Sequence, residues 1–90
     1  MAGSLDHVVT DAPADLVSAL SLTVGQAYSI QNVDPRDRVF VRIATAAPAR
    51  TDRANVIPPY QFGYPTADAG EGIYVWTDLG RTAAIVVNQA

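Results

Sequence analysis

The chain has 90 residues, 49% of them hydrophobic and 17% charged, with a net charge of −3 and no cysteine. That length allows one domain and leaves no room for a second core. The missing thiols exclude disulfides and thiolate metal sites, and the acidic balance argues against nucleic acid as a general partner.

A chain of this size buries only about 60–65% of its unfolded surface, so its stability margin is thin. With disulfides excluded, oligomerisation or docking on a partner is the expected source of further stability. The low charge content leaves a surface that is easily desolvated against such a partner. All six basic residues are arginines. This fits codon bias in a GC-rich genome, or selection of arginine for interfaces. Arg36, Arg38, Arg42, Arg50 and Arg53 fall in one stretch with only Asp37 and Asp52 between them. That is either a docking patch or a solvated face. No run reaches the ~20 apolar residues of a membrane helix. The segment Met1–His7 lacks the basic and apolar regions of a signal peptide, so the expected place of assembly is the cytoplasm, and no membrane partner is expected.

In chain order, Leu5–Thr10 reads as a short strand, stopped by Asp11-Ala12-Pro13. Pro13 and Asp15 suit a helix start, and Leu16, Ala19 and Leu20 share a stripe, which predicts a short helix over 13–20. After a turn at 23–26, Ala27–Val33 alternates with Tyr28 and Ile30 on one face and Ser29 and Gln31 on the other. A turn at 32–37 leads to a strand over 38–45, with Val39, Val41 and Ile43 opposite Phe40 and Arg42. The two strands are read as an antiparallel hairpin. From 46 to 71 the pattern dissolves into a Pro-rich irregular segment, with a short strand suggested near Asn55–Ile57. Strands at 73–77 and 82–88, joined by a turn at 78–81, are read as a second hairpin. The sum predicts a single all-β domain over 1–90, a small antiparallel sandwich or barrel with one short helix.

Few residues offer chemistry. His7 is the one histidine and Glu71 the one glutamate. There is no Gly-x-Ser-x-Gly elbow, no phosphate loop with its lysine, and no calcium-loop spacing around Asp68, Glu71 and Asp78. Those acids flank glycine-rich turns, where carboxylates close the backbone. No catalytic site, metal site or cofactor is expected. The aromatics say more. Tyr60, Phe62 and Tyr64 alternate, and in extended backbone all three point to one side. They form either an anchor strip for a protein or sugar, or the small core of a folded-back loop. Tyr74 and Trp76 share a strand face, as core or interface. The candidate interface residues are therefore Tyr60, Phe62, Tyr64, Arg36, Arg38 and Arg42.

The order of elements, carried by Leu22–Asn32, Val39–Pro48, Gly72–Thr77 and Ala83–Val87, resembles small β-sandwich virion proteins of tailed bacteriophages. The resemblance implies a non-enzymatic structural part of a phage particle. The first expectation is a capsid decoration or cement protein that binds the shell as an oligomer. A tail or head–tail connector component is the alternative, and a sugar-binding adhesion module is a third reading. The expected partners are copies of the chain itself and a major capsid or tail protein. Segment 48–65 and the N-terminal segment are expected to carry most of the contact.

Overall fold

A computed structural model describes residues 4–90, so Met1–Gly3 lie outside the described residues. Eight strands form two four-stranded antiparallel sheets, with one short helix. The first sheet contains β1 (Leu5–Val9), β8 (Ala83–Gln89), β3 (Tyr28–Asn32) and β6 (Phe62–Gly63), in that spatial order. The second contains β2 (Ala14–Asp15), β7 (Gly72–Trp76), β4 (Val39–Ala44) and β5 (Asn55–Ile57). The predicted small all-β sandwich with one helix is the observed architecture. Among the described residues no helix is long and apolar enough to cross a membrane.

Alternation fixes what each layer buries. Tyr28 and Ile30 of β3 and Ile85 and Val87 of β8 meet Val39 and Val41 of β4 and Ile73 and Val75 of β7 in one core. The intervening residues face outward, because successive strand side chains point to opposite faces.

Both predicted hairpins are wrong. β3 pairs with β8 and β6, whereas β4 pairs with β7 and β5. β7 and β8 likewise lie in opposite sheets. Each supposed hairpin is an arch whose two strands face one another across the core. A six-residue link, 33–38 or 77–82, serves an arch as readily as a hairpin, and alternation is satisfied by either. Polar groups at the links decide. The Asp34 carboxylate accepts the backbone N–H groups of Arg36 and Asp37 at 2.9 and 2.6 Å, and these bonds hold its pKa below the ordinary value. The buried Thr77 hydroxyl donates to the Arg81 carbonyl at 2.6 Å. The two links are then tied together by Arg38 on Asp78 and Arg81 on Asp37, each a two-pronged pair.

The helix is shorter than predicted. α1 spans Leu16–Ala19, while Ala14–Asp15 pair with Val75 and Tyr74 as β2. Leu16 is fully buried in the core. Asp15 explains both ends of this change. Its Oδ1 accepts the N–H groups of Val17 at 2.9 Å and Ile73 at 3.1 Å, and its Oδ2 accepts the Ser18 hydroxyl at 3.2 Å. One carboxylate thus caps the helix and fastens it to β7. A Cβ on Gly72 would lie 2.6 Å from the Asp15 Cγ, so only glycine admits that approach. Asp15→Ala is expected to lower unfolding stability by about 1–3 kcal/mol, because a cap and a bond between elements go together. Urea unfolding followed by Trp76 fluorescence measures it, and an unchanged midpoint would contradict this role.

Candidate functional site

The irregular stretch 46–71 has more structure than its composition suggests. Its first part, 46–54, crosses the outer face of the second sheet. There Phe40 and Trp76, partners in register, stack with ring centroids 5.8 Å apart. The Trp76 indole N–H donates to the Arg50 carbonyl at 2.9 Å, and Trp76 is fully buried. Trp76 therefore belongs to a small second core under the chain's own segment, separate from the core between the sheets. Tyr74 shares its face and is half-buried.

The second part forms the open side of the sandwich. β5 closes the second sheet and β6 closes the first, so both are edge strands. Pro58-Pro59-Tyr60-Gln61 carries the chain from one to the other, and the Gln61 N–H donates to the Pro58 carbonyl at 3.1 Å. Tyr60 has φ 65°. The Tyr60 N–H donates to the Asn32 carbonyl while the Asn32 N–H donates to the Gln61 carbonyl, so two residues oppose one. This is a β-bulge with tyrosine in the left-handed position that glycine usually takes. The expectation that Tyr60, Phe62 and Tyr64 share a side is corrected at Tyr60, because the bulge breaks the extended run. Phe62 and Tyr64 do lie together. Their rings are nearly parallel, 6.2 Å apart at the centroids, and both are exposed, at 51% and 69%. They are not the core of a folded-back loop.

Beside them runs a groove of about 610 Å³ between the two edges. Ile43, Val56 and Ile57 supply its apolar wall, Phe62 and Tyr64 its aromatic rim, and Arg42 and Arg53 its charge; no carboxylate lines it. Gly63 narrows its floor, since a Cβ there would meet Ile57 Cδ1 at 2.8 Å. Residues 65 and 61 turn their carbonyls toward β3, accepting the Tyr28 and Asn32 N–H groups. Strand alternation then directs the backbone groups of Phe62 and Tyr64 away from the sheet, along the open edge.

The candidate arginines are not equivalent. Arg42 reaches the groove, and its Nη1 donates to the Arg53 carbonyl at 2.7 Å. Arg38 is engaged elsewhere. It holds Asp78 at 2.9 Å and lies 4.9 Å over the Phe40 ring. That hydrogen bond raises the Arg38 pKa and holds the Asp78 carboxyl below its ordinary value. Arg36 is exposed in the 34–37 turn, outside the groove lining. Structure therefore brings Arg42, Phe62 and Tyr64 together and leaves Arg36 and Arg38 out.

Two residues outside the candidate interface set matter here. Arg53 completes the cationic side of the groove. Asn32 is fully buried; its Nδ2 donates to the carbonyls of Asp37 at 2.7 Å and Ile57 at 3.0 Å, and its Oδ1 accepts the Asp34 N–H at 2.9 Å. It thereby anchors the first arch to the end of β5 from which the groove-forming segment departs. The inward phase of Tyr28 and Ile30, continued by one step, points to Asn32.

Of the acids near the glycine turns, Glu71 closes the backbone and Asp78 pairs with Arg38. The Glu71 carboxylate accepts the Asp68 N–H at 2.9 Å. His7 lies within β1, opposite Ile85. Among the described residues no three His, Asp or Glu side chains cluster closely enough to hold a metal ion. No protein family, curated protein or solved structure matches this chain significantly.

Proposed function

We propose that this chain is a non-enzymatic docking module that seats on a larger protein surface through its open-edge groove. The observation that carries the reading is the combination at one edge. A parallel pair of exposed aromatic rings stands beside an apolar groove whose only charges are two arginines. Aromatic and arginine side chains are the groups that supply most binding energy at protein interfaces. An unpaired edge adds main-chain hydrogen-bonding capacity. The partner is the surface of a tailed-phage particle, first the capsid shell and otherwise the tail or connector. That part of the proposal rests on the sequence resemblance alone.

Phe62→Ala combined with Tyr64→Ala tests the groove. Both side chains are exposed, so circular dichroism and the unfolding midpoint should be unchanged. Occupancy on purified particles, read by quantitative mass spectrometry, should fall with a loss of affinity of at least about 30-fold, the scale of an interface hot spot. Full occupancy by the double variant would refute docking through this edge. The parallel aromatic pair also favours a second reading, a sugar-binding module, since rings of this kind stack on sugars through their faces. Glycan-array binding that disappears in the same variant, with particle binding intact, selects it.

A further inference from the structure

The rim of the docking groove is a stretch of strand with one edge unpaired. Residues 62–66 run antiparallel to β3, with Gln31 opposite Phe62, Ile30 opposite Gly63 and Ala27 opposite Thr66. The carbonyls of Gln61 and Pro65 accept from Asn32 and Tyr28, so residues 61, 63 and 65 turn their backbone groups toward β3. Those of Phe62, Tyr64 and Thr66 turn away from it, and among the described residues no other strand pairs with this edge. Pro65 falls in the phase that faces β3, so its missing N–H does not interrupt the outward row. Edges are commonly blunted by charge, proline or a bulge. Here the Tyr60 bulge blunts one end only, and none of residues 62–66 is charged.

The core is unfinished beside the same edge. Ile43 has the inward phase of Val39 and Val41, yet it is 37% exposed where they are 0% and 6%. β5 begins at Asn55, opposite Val41, and does not reach it. Gly63, which has the inward phase on β6 and lines the same groove, supplies no side chain to cover it. The charge at the groove has one sign. Arg42 commits one nitrogen to the Arg53 carbonyl, and among the described residues neither arginine is paired with a carboxylate.

We propose that the groove takes an extended, acidic segment of its partner, which adds to β6 as a fifth strand of the first sheet. This rests on the docking reading and gives the partner's chemistry. Strand addition satisfies the outward N–H and C=O groups of Phe62, Tyr64 and Thr66. The partner residue opposite Gly63 shares its inward phase, so an apolar side chain there enters the groove toward Ile43. Its neighbours, opposite Phe62 and Tyr64, lie beside the two rings. A carboxylate on the segment is the group that complements Arg42 and Arg53, because a guanidinium fork binds it with two parallel hydrogen bonds.

Random linear peptides of about twelve residues, displayed and selected on the full chain, test this without a particle; that length spans the edge with residues to spare. Recovered peptides should alternate apolar with polar side chains and carry Asp or Glu. For one made synthetically, affinity should fall at least about 10-fold on Arg53→Glu and return when its acidic residue is replaced by lysine. Arg53 is exposed, so this variant should keep the wild-type circular dichroism. N-methylation of every second peptide residue removes the donors along one edge. It should abolish binding in one phase and be tolerated in the other, a difference that side-chain contact alone does not produce. The proposal is overturned if no recovered peptide loses binding on Phe62→Ala with Tyr64→Ala. Neutral or basic consensus sequences, unchanged binding to Arg53→Glu, or equal effects of the two methylation phases overturn it as well. The docking reading fails separately, through particle occupancy that the double alanine variant leaves unchanged. Lost occupancy without peptide binding keeps the docking groove and removes the added strand.

Discussion

Asn32→Ala should be among the most damaging single substitutions in this protein, costing about 3–5 kcal/mol. The side chain has no exposure, and it satisfies the carbonyls of Asp37 and Ile57 and the N–H of Asp34. Alanine would leave these three backbone groups without their partner, and each buried orphan costs about 1–3 kcal/mol. Some relief will come from water reaching the 33–38 link, which keeps the total below the simple sum. Urea unfolding by circular dichroism measures the loss, and a change below about 1 kcal/mol would mean that those groups find other partners. Asn32→Asp sharpens the test. The introduced carboxylate keeps the acceptor but faces two carbonyl oxygens, so burial raises its folded pKa above the unfolded value. Its relative stability is then greatest below the unfolded pKa and falls as pH rises through the folded one. The groove should suffer too, because Asn32 holds Ile57 and, through its backbone, the Tyr60–Gln61 bulge.

Trp76→Ala should cost a comparable amount, about 3–5 kcal/mol, the usual range for truncating a buried large aromatic. The loss has a local signature. Phe40 loses its stacking partner, and the Arg50 carbonyl loses its donor. Segment 46–54 should then become protease-sensitive around Arg50 and Arg53 while the sheets persist. Trp76→Phe divides the effect. It keeps a ring on Phe40 and removes only the indole N–H, so it should cost about 1 kcal/mol, the net value of one hydrogen bond. Equal destabilisation by both variants would mean that the hydrogen bond, and not the packing, holds the segment down. Because Arg42 and Arg53 meet through this segment, Trp76→Ala should also weaken docking at the groove, whereas Trp76→Phe should not.

The candidate site was legible in part. Alternating aromatics in a Pro-rich stretch marked segment 48–65, and Phe62 and Tyr64 do form an exposed pair there. The tyrosine at 60 did not follow, because two prolines and a left-handed residue make a turn that reverses the phase of the strand. The arginine stretch was a weaker guide. Sequence proximity grouped Arg36, Arg38 and Arg42, but a strand and a link carry them to different places. Arg38 found Asp78, 40 positions away, and Arg53 reached the groove from the far side of a loop.

By itself the sequence determined the positions of β1, β3, β4, β5, β7 and β8, the face that each central strand buries and the absence of a thiol-based staple. Period-two alternation is a local property, and burying Tyr28, Ile30, Val39, Val41, Ile85 and Val87 satisfies it wherever the strands lie. Tertiary structure alone decided which strands share a sheet. A hairpin and an arch bury the same side chains, so hydrophobic burial does not separate them. The choice falls to the polar groups that must be satisfied at the links: Asn32 and Asp34 at one, Thr77 at the other, and the Arg38–Asp78 and Arg81–Asp37 pairs between them. The Asn32, Asp34 and Thr77 bonds shape each link locally, whereas the two ion pairs join residues 40 and 44 positions apart and exist only once the two sheets have met.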